Sequence, residues 1–439
     1  MTESRKLAAV CGAVGLALCA MANEARADDW FKDVKFSGYV EVGGIGNSAQ
    51  PANNINWGQL FTDRDNEILM NQLSFIAERP IDAKKQYDFG FRFQGMYGTD
   101  ARYTHFLGEL DKVTDAQYQL DIVEAWGQFH TPWLGKTGTD IKIGQYVTPL
   151  GNEVIDPRGN FFYSHDYTFN FGLPLKHTGI LAVTHVDPRL DVYYGVDTGV
   201  NATFGDPGDP NDSASFLGGF GLNLLKGDLT ILALTHIGKA LPSEGDPGFF
   251  YGPTSVPGSG PVRTRYYGDI VATYKVRKNL TATYEFNYVE DDTPGFGTAH
   301  GATGYGIADY WVYALTDNVS IGLRSEWWRD NNGAFVSACP GNLDFVKSEE
   351  GQQNGCFNNG SPNFFVPIPP GQPLQGTNYY DETIGLNWKP EVPKCFEGMV
   401  VRPEARWDFS SNTKPYNDAT QHNQFTFGAD VVIPIAFAH

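Results

Sequence analysis

Residues 424–439 read QFTFGADVVIPIAFAH, and this stretch restricts the possible folds more than any other. Phe425, Phe427, Ala429, Val431, Ile433, Ile435 and Phe437 occupy every second position, so a β-strand would carry all seven on one face. The alternate positions hold Thr426, Gly428, Asp430, Val432, Pro434 and Ala436. A long strand in a soluble sandwich could show this alternation, but a tilted strand crossing a bilayer explains its length better. Such a strand needs roughly 9 to 11 residues, with an apolar stripe toward lipid and a wetter opposite face. In hydrocarbon an open strand edge leaves N–H and C=O groups unsatisfied, so the last strand must close a barrel onto the first.

Period-two segments recur along the chain, near 34–42, 69–79, 87–97, 119–130, 140–147, 178–186, 190–197 and 215–224, then 229–237, 265–276, 280–289, 304–315, 319–329, 378–388 and 399–409. With the terminal strand the count is about sixteen, an even number as single-chain bacterial barrels require. Fifty glycines and 14% aromatic residues suit many turns and many strands. The linkers alternate in length: 80–86, 187–189, 225–228, 277–279 and 316–318 are short, whereas 44–67, 98–118, 198–214, 238–264, 290–303 and 330–377 are long. A soluble sandwich has no reason to sort its connections by parity. The chain is therefore expected to be all-β, a transmembrane antiparallel up-and-down β-barrel with short periplasmic turns and long extracellular loops. Residues 28–439 would form one domain.

Residues 1–27 supply the targeting expectation. Arg5 and Lys6 precede an uncharged run over 7–22, and Ala25-Arg26-Ala27 follows, the order of a secretory signal cleaved near Ala27. Removing two acidic and three basic residues would take the net charge from −19 to −20. Nucleic-acid binding is disfavoured at that charge, because phosphate contacts need basic patches. The expected location is the outer membrane of a Gram-negative-type bacterium, with lipid as one partner. Cys339 and Cys356 share a polar loop and suit a local disulfide in an oxidising compartment, while Cys395 has no evident partner. Neither CxxC spacing nor clustered histidine lies near them, so no metal and no cofactor is expected.

If the aromatic stripes meet lipid, the alternate positions line the lumen. Arg402, Glu404, Arg406 and Asp408 alternate with Val401, Pro403, Ala405, Trp407 and Phe409, and Arg324 and Glu326 repeat the pattern. Arg92, Asp269, Lys275, Glu285 and Asp309 join them as candidate pore-lining residues. Opposed charges lining a bore would select solutes by charge and size; paired across strands they would merely hold the wall together. The segment 149–177 mixes Glu153, Asp156, Arg158, His165, Asp166 and Lys176 with Phe161, Phe162, Tyr163 and Phe169. Its aromatics would be costly left in water, so it is expected to fold into the lumen as a constriction loop. Glu382 breaks the pattern by sharing a face with Tyr380, Ile384, Leu386 and Trp388, and around Trp126 the period is ambiguous.

Enzyme readings are weak. Ser164-His165-Asp166 has the residue types of a hydrolytic triad, but three adjacent residues do not supply converging geometry. The run 206–212, DPGDPND, lacks the spacing of a calcium loop. No GxSxG, HExxH or phosphate-cradling motif occurs.

The segment 163–174, with Asn71-Gln72-Leu73-Ser74-Phe75, Tyr97-Gly98-Thr99-Asp100, Ile143-Gly144-Gln145 and His177-Thr178-Gly179, resembles the OmpL-like β-barrel porin family over nearly all of the mature chain. The resemblance implies an outer-membrane porin-like barrel and brings neither a catalytic residue nor an agreed substrate. One departure is the terminus, where Phe437 is followed by Ala438 and His439 rather than ending on an aromatic residue. The leading expectation is a pore, monomeric or homotrimeric, passing small hydrophilic solutes or ions by diffusion. A closed barrel acting as a structural or surface-interaction protein is the alternative, and a barrel-embedded hydrolase the weakest.

Overall fold

A computed structural model describes residues 31–106, 109–110, 113, 117–203, 214–240, 263–292, 301–338, 357–358 and 375–436. Its strands are β1 (Lys35–Asn47), β2 (Glu67–Arg79), β3 (Asp88–Gly98), β4 (Gln119–Thr131), β5 (Thr139–Val147), β6 (Lys176–Asp187), β7 (Leu190–Asp197), β8 (Ser215–Leu224) and β9 (Leu229–Ala240). They continue with β10 (Arg263–Arg277), β11 (Leu280–Asp291), β12 (Ala302–Ala314), β13 (Val319–Asp330), β14 (Ser337–Ala338), β15 (Phe357–Asn358), β16 (Thr377–Trp388), β17 (Val400–Ser410) and β18 (Asn423–Ala436). Among the described residues sixteen of these form a closed antiparallel barrel, while β14 and β15 make a separate two-stranded ribbon between β13 and β16.

Closure occurs where the terminal alternation requires it. β18 pairs with β1 from Ser37 opposite Ala436 to Asn47 opposite Thr426, so no edge is left open there. Phe425 and Phe427 are 43% and 54% exposed on the outer face, whereas Gln424, Thr426 and Asp430 are buried toward the lumen. Phe437 lies outside the described residues. β1 runs five residues past the end of the period-two reading of 34–42, because Gly43 to Asn47 continue the pairing with β18.

Two register shifts explain what the alternation left unresolved. In β1–β2, Glu41 faces Gln72 and Val42 faces Met70, so Asn71 is the extra residue of a bulge. In β3–β4, Gln94 faces Glu124 and Gly95 faces Ile122, so Val123 is extra. This second bulge exchanges the two faces of β4 midway along its length, which is why the period around Trp126 cannot be read locally. Trp126 lies opposite Arg92 and Gly144 on the lumen face, and its indole N–H donates to Glu124 Oε1 at 2.9 Å.

Register also corrects one assignment. Asp309 lies opposite Tyr284 on β11 and Ser325 on β13, and residues directly opposite share a face, so it points outward rather than into the bore. Its carboxylate accepts a hydrogen bond from the Trp311 indole at 2.9 Å. Ser325 in turn faces Glu382, donating to it at 2.7 Å, with no bulge in the β13–β16 pairing. Asp309, Ser325 and Glu382 therefore form a polar row across three strands of the outer wall.

Inside the barrel lies a cluster of buried apolar side chains that includes Ile55, Trp57, Phe61, Tyr103, Leu150, Tyr167, Phe169, Leu173, Trp328 and Tyr379. Most of these belong to segments that turn inward from the end bearing the long linkers, so the interior is packed by loops rather than by a second sheet.

Candidate functional site

The connection between β5 and β6 is held at its neck, where Thr148 N–H donates to Leu175 O at 2.9 Å, and from there it enters the lumen. Its internal structure is short. A 3₁₀ turn over Pro157–Gly159 is capped by Asp156, which accepts from Arg158 N–H. One helical turn over Tyr167–Phe171 is capped by Asp166, which accepts from Phe169 N–H at 2.7 Å. Two such turns satisfy few of the loop's peptide groups, and a buried unsatisfied peptide costs about 1–3 kcal/mol. The wall of the barrel supplies the missing partners.

Carboxylates on the strands accept the loop's N–H groups. Glu404 takes Tyr163 N–H at 2.8 Å and Ser164 N–H at 3.1 Å. Glu326 takes Tyr167 N–H at 2.7 Å and Thr168 N–H at 2.9 Å, and also the Thr168 hydroxyl at 2.8 Å. Asp269 accepts from Gly151 N–H at 3.1 Å and Glu285 from Asn152 N–H at 3.2 Å. Guanidinium groups serve the carbonyls: Arg324 donates to Ser164 O at 2.7 Å, Arg402 to Pro157 O at 2.8 Å and Asn160 O at 2.9 Å, and Arg406 to His165 O. Each of these arginines is also paired with acids, Arg324 with Asp381 and Glu153, Arg402 with Glu41 and Asp430, and Arg406 with Asp408 and Asp381. Pairing is what makes burial of these charges affordable.

Shape reinforces the polar fit. A Cβ on Gly43 of β1 would stand 2.5 Å from the Tyr163 ring, one on Gly322 of β13 2.2 Å from Phe161, and one on Gly385 of β16 3.1 Å from Phe162. Lumen-facing glycines thus form sockets for three consecutive loop aromatics. A second inward segment, following β1, packs beside the first: Gln59 donates to Asp408 at 2.9 Å, Trp57 stacks on Tyr379, and Phe61 meets His165 and Phe169. A third, following β3, ties in through Arg102 to Asp63 at 2.9 Å and through Asp100, which accepts from Asn71 and Gln72.

Two loop carboxyls have displaced pKa values. Burial pushes Glu153 up, but Arg324 and His165 beside it prevail and hold it at about 2. Burial, with Glu153 adjacent, pushes Asp166 up to about 7 in spite of Arg324. The Tyr310 hydroxyl donates to Asp166 at 2.6 Å and to Glu153 at 3.2 Å, bridging the two.

The structure brings together Asp269, Glu285, Arg324, Glu326, Arg402, Glu404, Arg406 and Asp408 on the lumen face, where all contact residues 149–175, Asp408 through the Tyr167 hydroxyl at 2.9 Å and the others through backbone groups. Arg92 shares that face but stands apart, paired with Glu78 at 2.7 Å and Glu124 at 2.5 Å. Lys275 has the same parity and is exposed near the short-turn end. Within the loop, Arg158 and Asp156 pair at 2.6 Å, with the guanidinium over the Tyr39 ring, and His165 stacks on Phe169 while its Nδ1 lies 2.6 Å from Glu153. Lys176 is corrected in place: it is the first residue of β6, and its ammonium pairs with Asp121 at 2.6 Å rather than lining a constriction. Ser164, His165 and Asp166 engage three different sets of partners and do not converge. Cys339 and Cys356 lie outside the described residues.

Sequence reasoning missed Glu41, Asp381 and Asp430 as members of the charge network. The alternation held the signal, since each occupies a strand position opposite the apolar stripe, beside Val40 and Val42, Tyr380, or Ala429 and Val431. Asn71, Asp100 and Tyr310 were not recoverable in that way, because a bulge, a loop and a lone tyrosine carry no periodic mark.

The sequence from 33 to 435 matches the family described as "putative beta-barrel porin-2, OmpL-like". No curated protein matches the chain. Among solved structures, the fold is similar to an anion-selective porin from Comamonas acidovorans (10% identity, TM-score 0.53, covering 92% of this chain and 99% of that one). It is also similar to the outer membrane channel DcaP of Acinetobacter baumannii (11%, 0.51, 92% and 97%) and to Pseudomonas putida OprB (12%, 0.51, 93% and 96%). These likenesses concern the barrel architecture. The chain belongs to the OmpL-like β-barrel porin family and forms a sixteen-stranded barrel of the outer-membrane porin type.

Proposed function

We propose that this porin passes small hydrophilic solutes and ions by passive diffusion, and that residues 149–175 set its constriction. The observation that carries the reading is the division of labour on the lumen wall. Toward the long-loop end the wall charges are consumed in holding the loop, whereas toward the short-turn end Lys275, Asn223 and Thr230 face the lumen and are exposed. The short-turn end would be periplasmic, and the excess of acid favours cations. No covalent chemistry and no cofactor is needed for this activity. Planar-bilayer recording under a salt gradient tests it: discrete conductance that rises when 160–170 is deleted supports the reading, and conductance indifferent to that deletion sinks it.

A second reading, a closed barrel working through its surface, is favoured by one observation, the apolar cluster that fills the interior. Absence of any conductance from folded wild-type barrels would select it.

Three further assignments rest on the same reading. The signal would be cleaved near Ala27, which N-terminal sequencing of the mature protein checks. Cys339 and Cys356 would form a disulfide, supported by the pairing of Ala338 with Phe357 in the ribbon that flanks both in sequence. The outward row of Asp309, Ser325 and Glu382 would lie in a homotrimer interface, where it is shielded from lipid. Native electrophoresis of Asp309→Leu and Glu382→Leu barrels would then show loss of the trimer band.

A further inference from the structure

A separate cluster lies on the lumen face of β6, β7 and β9, away from the arginine network. We propose that His177, Asp197 and His236 bind one divalent transition-metal ion, with Zn²⁺ the best match to the donor set, and that the ion fastens the base of the inward loop. His177 Nδ1 lies 3.1 Å from Asp197 Oδ2, and His236 Nε2 lies 2.9 Å from the same oxygen and 3.1 Å from Oδ1. The three donor atoms all fall within 4.8 Å of one another, and the imidazole rings are 4.7 Å apart. Tetrahedral Zn²⁺ with bonds of about 2.0–2.1 Å holds its ligand atoms roughly 3.3 Å apart. The two histidine–aspartate spacings need open by only a few tenths of an ångström, and the imidazole nitrogens already lie within 4.8 Å of each other.

Three observations set this cluster apart from an ordinary buried hydrogen-bond group. His177 Nε2 is taken by the Thr148 hydroxyl at 3.0 Å, which leaves Nδ1 on the side shared by Asp197 and His236 in the manner of a metal ligand oriented by an outer partner. Yet Nδ1, fully buried and 3.1 Å from that carboxylate, has no hydrogen bond, so its lone pair or proton is aimed elsewhere than at the oxygen. Finally, among the described residues Asp197 is paired with no arginine or lysine, only with the two histidines and Gly199 N–H at 3.0 Å. Elsewhere in the lumen buried acids such as Glu41, Asp381 and Asp430 face a guanidinium; a dication would supply the missing positive charge here. The buried Tyr146 hydroxyl, on the residue opposite His177, is likewise without a partner among the described residues, its ring 5.6 Å from the His177 imidazole.

Two imidazoles and one carboxylate select first-row ions such as Zn²⁺ over Ca²⁺ or Mg²⁺, which prefer all-oxygen sites. His177 lies two residues after Leu175, the residue that closes the loop neck with Thr148, so an ion there would tie that neck to β7 and β9. The three ligands are far apart in sequence, so local His and Cys spacing gave no sign of them.

The test uses the full mature chain refolded in detergent after chelator treatment, with Zn²⁺ supplied either during refolding or afterwards. Bound zinc is measured by elemental analysis after dialysis, and thermal unfolding by circular dichroism. One zinc per barrel in either arm is expected, with unfolding raised by on the order of 5 °C. His177→Ala and His236→Ala should lose both effects, and His236→Gln, which can keep a hydrogen bond to Asp197, should fold and still lose the zinc. His422→Ala, outside the cluster, should keep both. Folded wild-type barrels that retain no zinc in either arm, or zinc that survives in His236→Gln, would overturn the assignment.

Discussion

The two halves of the lumen differ in how they use charge. Toward the long-loop end, Arg324, Arg402 and Arg406 are buried among acids and loop peptides, and every one of them holds a carbonyl of residues 157–165. Toward the short-turn end, Arg92 is partly exposed and pairs with strand carboxylates, and Lys275 is exposed. The same residue types on the same face are thus clamps at one end and solvent-facing groups at the other. The cause is the inward loop, which displaces water and makes its own peptide groups dependent on the wall.

The largest effect should come from breaking a clamp. Arg324→Ala would strip buried Glu153 of its guanidinium and leave buried Asp381 with Arg406 alone, at about 3–5 kcal/mol, and should lower the urea midpoint of the barrel while raising its conductance. Glu326→Ala removes the acceptor for Tyr167 and Thr168 N–H and should cost about 1–3 kcal/mol per orphaned group, read the same way. Gly322→Ala brings a Cβ against the Phe161 ring and should weaken loop docking by about 1–3 kcal/mol, detectable as faster proteolysis within 149–175.

A smaller effect should appear with pH. Asp166, at about 7 in the folded protein and ordinarily near 3.8, favours the docked loop most when protonated. Its contribution is complete below pH 3.8 and is lost as pH rises through 7. Glu153, held at about 2 against an ordinary 4.5, acts in the opposite sense, contributing above pH 4.5 and failing as pH falls toward 2. Loop protection should therefore weaken from pH 5 to pH 8, and Asp166→Asn, which still caps the helical turn, should flatten that dependence in a proteolysis profile. The smallest structural change is expected from Lys275→Glu: stability should hold within about 0.5 kcal/mol while the reversal potential shifts toward cations. A shifted urea midpoint in this variant would mean that the short-turn half is packed like the other.

The barrel wall was legible residue by residue. Phe425 to Ile435 alternate with Gln424 to Pro434, and the structure places the two sets outside and inside as the alternation requires, because the pleat alone decides which face a side chain takes. Asp309 escaped this logic only because it was grouped by charge rather than by parity with Ile307 and Trp311. Trp126 escaped it for a different reason, since a bulge three residues earlier resets the faces and depends on the partner strand. The segment 149–177 was visible as an aromatic-rich stretch too costly to leave in water, and in the structure its residues pack against the lumen face of the strands. Which wall residues would receive it was not visible: Glu404 and Tyr163 lie 241 positions apart, as do Arg406 and His165.

The chain by itself determined that there would be strands, how many, which side of each meets lipid and that the last must join the first. All of these follow from a two-residue period and the need to satisfy backbone groups in hydrocarbon. Only the tertiary structure decided what the inward charges do. A carboxylate on a strand is indifferent between water, a cation and a peptide N–H until folding brings one of them within about 3 Å, and that choice is made by segments hundreds of residues away.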